Sequence, residues 1–269
     1  MTIVQEETLP APARCLGAVV IVPAHNEEAR IAACIEALAN QAEVSPDFYE
    51  VIVVLDACTD GTEEAVQSAS VRWPGLQLLT LAGPGRGAGP ARAVAMDIGC
   101  SRLESAGRPR GLLATTDADS VVAADWIARQ LDAISAGADA VGGNIHLDEL
   151  EAALLPRHAI EERDARLVDR TRAANARGPS EHAHFSGASI GLTPVAYAQA
   201  GGMGELAALE DRDFEDRLAK AAIPVHRLNS VRVTTSARTD GRAEKGLAID
   251  LARSARQNFE ERRPADSFW

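Results

Sequence analysis

The sequence predicts an α/β fold in which a mainly parallel sheet is flanked by helices. From Gly17 onward, short apolar runs alternate with segments whose apolar residues recur at helical spacing, which is typical of βαβ units. The chain has 269 residues, 46% of them apolar, so it can bury the core of one large domain.

Local patterns justify the elements in chain order. Asn26 can cap a first helix, whose apolar stripe has the spacing i, i+3, i+4, i+7: Ile31, Cys34, Ile35 and Leu38. Strands are predicted at 17–22, 49–55, 76–81, 111–115, 140–147, 184–192 and 224–234. Further helices are predicted from near Thr62, from Pro90, across 125–136 and 148–175, and at 194–200, 211–222 and 247–262. Residues 1–14 are predicted to be a flexible lead-in.

Charge and cysteine content exclude several classes of protein. Lys and Arg total 27 against 39 Asp and Glu, and the net charge of −12 argues against a nucleic-acid surface. The four cysteines form no C-x-x-C pair, so we expect reduced thiols in a cytoplasmic protein. No apolar run approaches the roughly 20 residues of a membrane span, and the N-terminus is unlike a signal peptide. A homodimer remains open.

The segment Asp117-Ala118-Asp119 is a candidate metal site. It follows the strand predicted at 111–115, and in an extended segment residues i and i+2 point the same way, so both carboxylates can face one point. Open α/β sheets bind ligands at this edge, and carboxylate oxygens suit Mg²⁺ or Mn²⁺. The alternative is an Asp-rich turn that caps the next helix.

Five blocks in this order resemble family 2 glycosyltransferases of the GT-A fold: VVIVPAHNEEARI (19–31), VVLDACTDGT (53–62), GPARAVAMDIG (89–99), TTDADS (115–120) and LEDRDFEDRL (209–218). The resemblance implies a Rossmann-like sheet with a C-terminal acceptor-side region. Residues 15–147 would bind a nucleotide sugar, and residues 148–269 would bind the acceptor and supply a base. It also implies a metal-dependent, inverting transfer from a nucleoside-diphosphate sugar, most often a UDP-sugar, to an acceptor hydroxyl.

The same resemblance assigns the donor residues. Those lining the nucleoside pocket would be Pro23, Ala24, His25 and Glu27, and Asp56 would accept a hydrogen bond from the base. Those near the phosphates or sugar would be Arg86, Gly87, Arg92, Ala118, Arg238 and Arg242. Asp119 is the preferred direct metal ligand and Asp117 the ribose or outer-shell partner, with a third protein ligand left open.

On the acceptor side, the resemblance points to two segments. Asp211, paired with Glu210, would take the proton of the attacking hydroxyl, whereas helix capping is the alternative role of these acids. Ser186 and Gly187 would lie near the sugar. Some relatives with a similar first block retain configuration, in which case Asp211 would position the acceptor instead.

Three other functions compete with this interpretation. A dehydrogenase would use Gly83-x-Gly85-x-x-Ala88 as its dinucleotide loop, but here that loop follows the third strand instead of the first. A sugar-1-phosphate nucleotidyltransferase would need a Gly-rich loop after the first strand, where this chain has PAHNEE. A non-catalytic binding module would not need the acid at position 211.

Overall fold

The computed structural model describes residues 9–175, 180–206, 209–241 and 246–261. Its strands are β1 (Ala18–Ala24), β2 (Tyr49–Leu55), β3 (Gln77–Ala82), β4 (Leu112–Thr115), β5 (Ser120–Val122), β6 (Ala140–Leu147), β7 (Ile190–Leu192) and β8 (Val225–Thr235). Its helices are α1 (Ile31–Ala39), α2 (Thr62–Arg72), α3 (Ala88–Ser105), α4 (Trp126–Ser135), α5 (Glu149–Ala152), α6 (Arg157–Asn175), α7 (Pro194–Gln199), α8 (Glu210–Lys220) and α9 (Leu247–Glu261).

The strands of the described residues form one sheet in the order β3-β2-β1-β4-β7-β6-β8-β5. Strands β3, β2, β1 and β4 are parallel, β7 is antiparallel to both of its neighbours, and β5 is antiparallel to β8. The predicted α/β class and mainly parallel sheet are therefore confirmed. The carboxyl ends of β1, β2 and β4 lie at one edge, which is where ligands bind in such sheets.

Strand β1 shows that the sheet is covered by apolar side chains on both faces. All seven of its residues are buried, and they alternate between two apolar clusters: Val20 and Val22 face one, and Val19 and Ile21 face the other. Helices α1 and α4 contribute to the first cluster, and α3, α7 and α8 to the second. A strand covered on both faces reads as a continuous apolar run instead of an alternating one.

Two local predictions were wrong. Asn26 does not cap α1: its φ is 55°, and its side chain accepts a hydrogen bond from the Thr59 amide at 2.7 Å, so the helix begins later, at Ile31. The strand predicted at 184–192 is limited to Ile190–Leu192 because the preceding residues form turns that pack against Arg92 and β6. The short β5 was not predicted. The other predicted strands agree within two residues.

The ends of the described chain bear on two further points. Pro10, in the predicted lead-in, accepts a hydrogen bond from Arg102 at 2.9 Å, and residues 1–8 lie outside the described residues. No helix of the described part is both long and apolar enough to span a bilayer.

Candidate functional site

Two aspartates mark the centre of the candidate site. Asp117 and Asp119 follow β4 directly, at the edge where β1 and β2 also end. The pairing of β5 with β8 sets Ser120 opposite Thr235, and the Ser236 amide donates to the Asp119 carbonyl at 3.3 Å. The segment after β8 is thereby brought beside the two carboxylates, although more than 100 residues separate them in the chain.

Arg92, on α3, contacts three other parts of the chain: the end of β4 and the segment after it, the turn at Gly187 and the start of α8. Its Nη2 donates to Asp117 Oδ1 at 2.7 Å, its Nη1 to Thr115 Oγ1 at 2.6 Å and to the Gly187 carbonyl at 3.1 Å, and its Nε lies 3.4 Å from Glu210 Oε1. The side chain is only 3% exposed. Burial by itself lowers the pKa of Arg92, but Asp117 and Glu210 outweigh burial and the pKa is raised. Arg92 therefore remains a fixed buried cation.

Gly187 has room for no side chain. A Cβ at this position would lie 2.4 Å from Arg92 Nη2. The absence of a side chain thus lets the Gly187 backbone approach the guanidinium, and its carbonyl oxygen accepts the hydrogen bond from Arg92. Ser186 contributes its carbonyl to a turn with the Ser189 amide.

Arg238 forms a second cationic centre beside Asp119. It binds Glu27 through two bonds of 2.9 and 2.7 Å, and its Nη2 lies 2.8 Å from Asp119 Oδ2. Burial, reinforced by the charge of Asp117, raises the pKa of Asp119 to about 6 against the opposing effect of Arg238. The contact links the two halves of the chain, since Glu27 and Asp119 lie in the first half and Arg238 in the second.

Glu151 supports this second centre, although no motif distinguishes it from the other charged residues of the stretch 148–175. One of its oxygens accepts from Arg30 at 3.0 Å, and the other accepts from Ser236 Oγ at 2.5 Å and from the Ala237 amide at 2.7 Å. The short helix α5 therefore fixes the segment that carries Arg238. Thr115, Arg30 and Glu205 are further site residues that were not singled out from the sequence.

Asp56 is held in a different way. Its Oδ1 accepts from the Gly85 amide at 2.6 Å and its Oδ2 from the Gly87 amide at 2.7 Å, and the residue is 1% exposed. His25 Nδ1 donates to the Asp56 carbonyl at 2.6 Å. The glycine loop, residues 83–87, thus covers the carboxylate that the sequence predicts to contact the base.

The far side of the glycine loop is tied to the segment before α8. Arg86 pairs with Glu205 at 2.7 Å, with both side chains more than half exposed. Gly89 packs against the Leu206 carbonyl, which a Cβ at position 89 would approach to 1.9 Å.

Glu210 and Asp211 begin α8 but have different surroundings. Helix α8 is anchored by Phe214 and Leu218, both fully buried. Glu210 is 13% exposed and faces Arg92. Burial raises the pKa of Glu210, Arg92 opposes that rise, and Asp211 adds to it. Asp211 uses Oδ1 to accept from the Arg212 amide at 2.7 Å.

The carboxylates near Asp119 concentrate negative charge where a cation would be expected. Burial raises the pKa of the Cys34 thiol far above its usual range, and the charges of Asp119, Asp117 and Glu27 raise it further. Within the described part of the chain, no group of three or more His, Cys, Asp or Glu side chains forms a metal-binding cluster. Two carboxylates nevertheless fit an ion such as Mg²⁺, which takes few protein ligands and binds substrate phosphates as well.

The structure joins seven of the seventeen site residues singled out from the sequence into two networks, centred on Arg92 and Arg238. Those in the two arginine-centred networks are Glu27, Arg92, Asp117, Asp119, Gly187, Glu210 and Arg238. Pro23 and Ala24 end β1, and the Ala24 carbonyl accepts from the Asp56 amide at 2.8 Å. Ala118 is buried at 3% exposure between the two aspartates. Arg242 lies outside the described residues.

Comparison with known proteins was made at the levels of sequence family and of structure. The model of glycosyl transferase family 2 matches residues 19–193. Glycosyltransferase AglE of Haloferax volcanii is 32% identical over 127 residues, which cover 47% of this chain and 38% of AglE. The match therefore spans well under half of that relative.

Solved structures show a similar fold. The mannosyltransferase PcManGT from Pyrobaculum calidifontis, in complex with GDP-Man and Mn²⁺, aligns with a TM-score of 0.63 at 20% identity, covering 88% of this chain and 63% of that one. S. aureus TarS 1-349 in complex with UDP-GlcNAc aligns with a TM-score of 0.60 at 17% identity, covering 93% and 77% respectively. At these identities the likeness establishes the GT-A fold.

Proposed function

Starting from the fact that the chain belongs to glycosyl transferase family 2 and has the GT-A fold, we propose that it transfers a sugar from a nucleoside-diphosphate donor to an acceptor hydroxyl. One observation carries the proposal. Two adjacent carboxylates at the carboxyl edge of the sheet, Asp117 and Asp119, each contact an arginine from a distant segment. A leaving diphosphate requires positive charge, which the two arginines carry themselves and which the carboxylate pair can supply only by holding a divalent ion.

The donor occupies the first half of the chain, residues 15–147, with Arg238 reaching in from the second half. The diphosphate lies against Arg92, Arg238 and Arg86, and the nucleoside lies along the segment after β1, beside His25 and Glu27. UDP is the proposed nucleotide. PcManGT binds GDP-Man and TarS binds UDP-GlcNAc, so relatives of this fold accept more than one base.

Asp119 and Asp117 would hold Mg²⁺ or Mn²⁺ together with the donor. When bound, the ion would supply positive charge to the diphosphate as it leaves. The two carboxylates lie at the carboxyl edge of the sheet with Glu27 held nearby through Arg238, which supports a cation at this point. Asp119 stays the proposed direct ligand, since its backbone is fixed by the segment after β8.

Asp211 is the proposed base. Glu210 already faces Arg92, whereas Asp211 has only its neighbouring amide as a hydrogen-bond donor among the described residues. Asp211 accepts the proton of the acceptor hydroxyl while the hydroxyl oxygen bonds to the anomeric carbon. The bond between the anomeric carbon and the diphosphate breaks at the same time, which inverts the configuration. In a retaining enzyme Asp211 would orient the acceptor instead, and NMR of the product anomer distinguishes the two courses.

The donor site is tested by calorimetric titration with UDP, GDP and ADP, with and without Mn²⁺. We expect one diphosphate to bind in the presence of metal, and absence of binding by all three would refute the donor site. The Asp211→Asn variant should lose transfer while donor affinity stays within about twofold of the unmodified protein. Equal loss of both would assign Asp211 a structural role.

The cytoplasm is the proposed location. All four cysteines are unpaired thiols, which suits a reducing compartment. Recovery of the protein with the membrane fraction of broken cells would contradict this.

A further inference from the structure

The glycine loop covers the part of the proposed donor site where the base would bind. Asp56 is 1% exposed because the amides of Gly85 and Gly87 occupy its two oxygens. A nucleobase N–H can therefore reach this carboxylate only after the loop has moved. Gly83 also lies against Asp56, so closely that an added Cβ would be 2.4 Å from Asp56 Oδ1.

Two features make this loop able to move. Gly85 and Gly87 have φ values of 72° and 97°, and both would have open space around an added Cβ, so the loop is not packed under other residues. Its tip is held by the bonds to Asp56, by the Ala91 amide, which donates to the Gly87 carbonyl at 3.1 Å where α3 begins, and by the ion pair between Arg86 and Glu205. An exposed pair of this kind contributes up to about 1 kcal/mol, which thermal motion and a competing anion can overcome.

From these contacts we propose that Glu205 sets donor affinity by holding Arg86, and with it the glycine loop, in the closed position over Asp56. The inference rests on the proposed function, because the competing anion is the diphosphate of the donor. On donor binding Arg86 exchanges the Glu205 carboxylate for a phosphate oxygen, and the loop leaves Asp56 to the base. Glu205 is thus a positioning residue that acts through Arg86.

Two matched variants isolate this role. Glu205→Gln keeps the shape of an exposed side chain and removes the partner of Arg86, so UDP should bind about two- to five-fold more tightly in the presence of Mn²⁺, the range that an exposed pair allows. Glu36→Gln removes one partner of another exposed pair, Glu36 with Arg72, on helices α1 and α2, and should leave UDP affinity unchanged. In an Arg86→Gln background, Glu205→Gln should give no further gain.

Loop movement has its own readout. Hydrogen exchange of the Gly85 and Gly87 amides, followed by NMR, should be slow in the free protein and faster when UDP and Mn²⁺ saturate the site. Equal protection of both amides in the two states would overturn the inference. A gain in UDP affinity from Glu205→Gln that persists without Arg86 would also overturn it, since that gain would come from the change in net charge. Absence of UDP binding by the unmodified protein would instead refute the proposed donor site.

Discussion

Replacing Arg238 by glutamine should destabilise the fold as well as the site. Arg238 is shared by two carboxylates, bonding Glu27 at 2.7 and 2.9 Å and Asp119 at 2.8 Å, and the three side chains are 14%, 8% and 15% exposed. Removing one partner from a buried charge cluster costs about 3–5 kcal/mol because the remaining charges stay desolvated. We expect a loss near the lower limit, about 3 kcal/mol, because all three side chains keep some contact with water.

Unfolding in urea near pH 8 measures this loss directly. For a chain of this size about 3 kcal/mol corresponds to a fall in Tm of roughly 6–12 °C. The matched control is Arg172→Gln, which breaks a pair 77% exposed on both sides and should cost less than about 1 kcal/mol. A loss of less than about 1 kcal/mol for Arg238→Gln would refute the reasoning, since Arg238 would then behave as an exposed residue.

The pH dependence of the unfolding free energy supplies a further check on the Arg238→Gln variant. The pKa of Asp119 is about 6, above its ordinary value of 3.8. Between about pH 4 and about pH 6 Asp119 ionises in the unfolded state while the folded state keeps its proton, so the free energy of unfolding falls over this range. Near pH 5 the folded protein can protonate Asp119, and the loss caused by Arg238→Gln should be smaller there than near pH 8. A loss that grows toward acid pH would contradict this order.

Three other predictions concern separate parts of the chain. Asp119→Asn should remove the contribution of Asp119 to the fall in stability between about pH 4 and pH 6, so the urea unfolding free energy should fall less over this range than in the unmodified protein, and UDP binding in the presence of Mn²⁺ should weaken. Gly187→Ala should displace the Arg92 guanidinium, lowering the transfer rate at least tenfold and stability by about 1–3 kcal/mol in rate and unfolding assays. Glu50→Gln should cost about 3–5 kcal/mol in unfolding, because Glu50 and Arg102 are 5% and 7% exposed. Its UDP affinity should stay unchanged, since Glu50 lies at the opposite end of β2 from the site.

Apolar patterns predicted the elements that pack against the core. The stripe Ile31, Cys34, Ile35 and Leu38 is buried as expected, and β2 and β6 have their predicted bounds. The pattern was uninformative for β5, whose three residues are too short to show a period, and for residues 184–189, where the conformation follows from contacts with Arg92 and β6. Asn26 shows the same limit, since its partner Thr59 is 33 residues away.

The sequence by itself determined the α/β class, the family resemblance and the types of residue in the site, because these depend on local spacing and on motifs of a few residues. Only the tertiary structure decided which charges meet. The pairing of β5 with β8 brings Arg238 to Asp119, and the fold brings Arg92 to Asp117 and Glu210. It also decided that Asp56 is covered by the glycine loop. Long-range contacts of this kind depend on how strands pair and helices pack, which short sequence motifs do not encode.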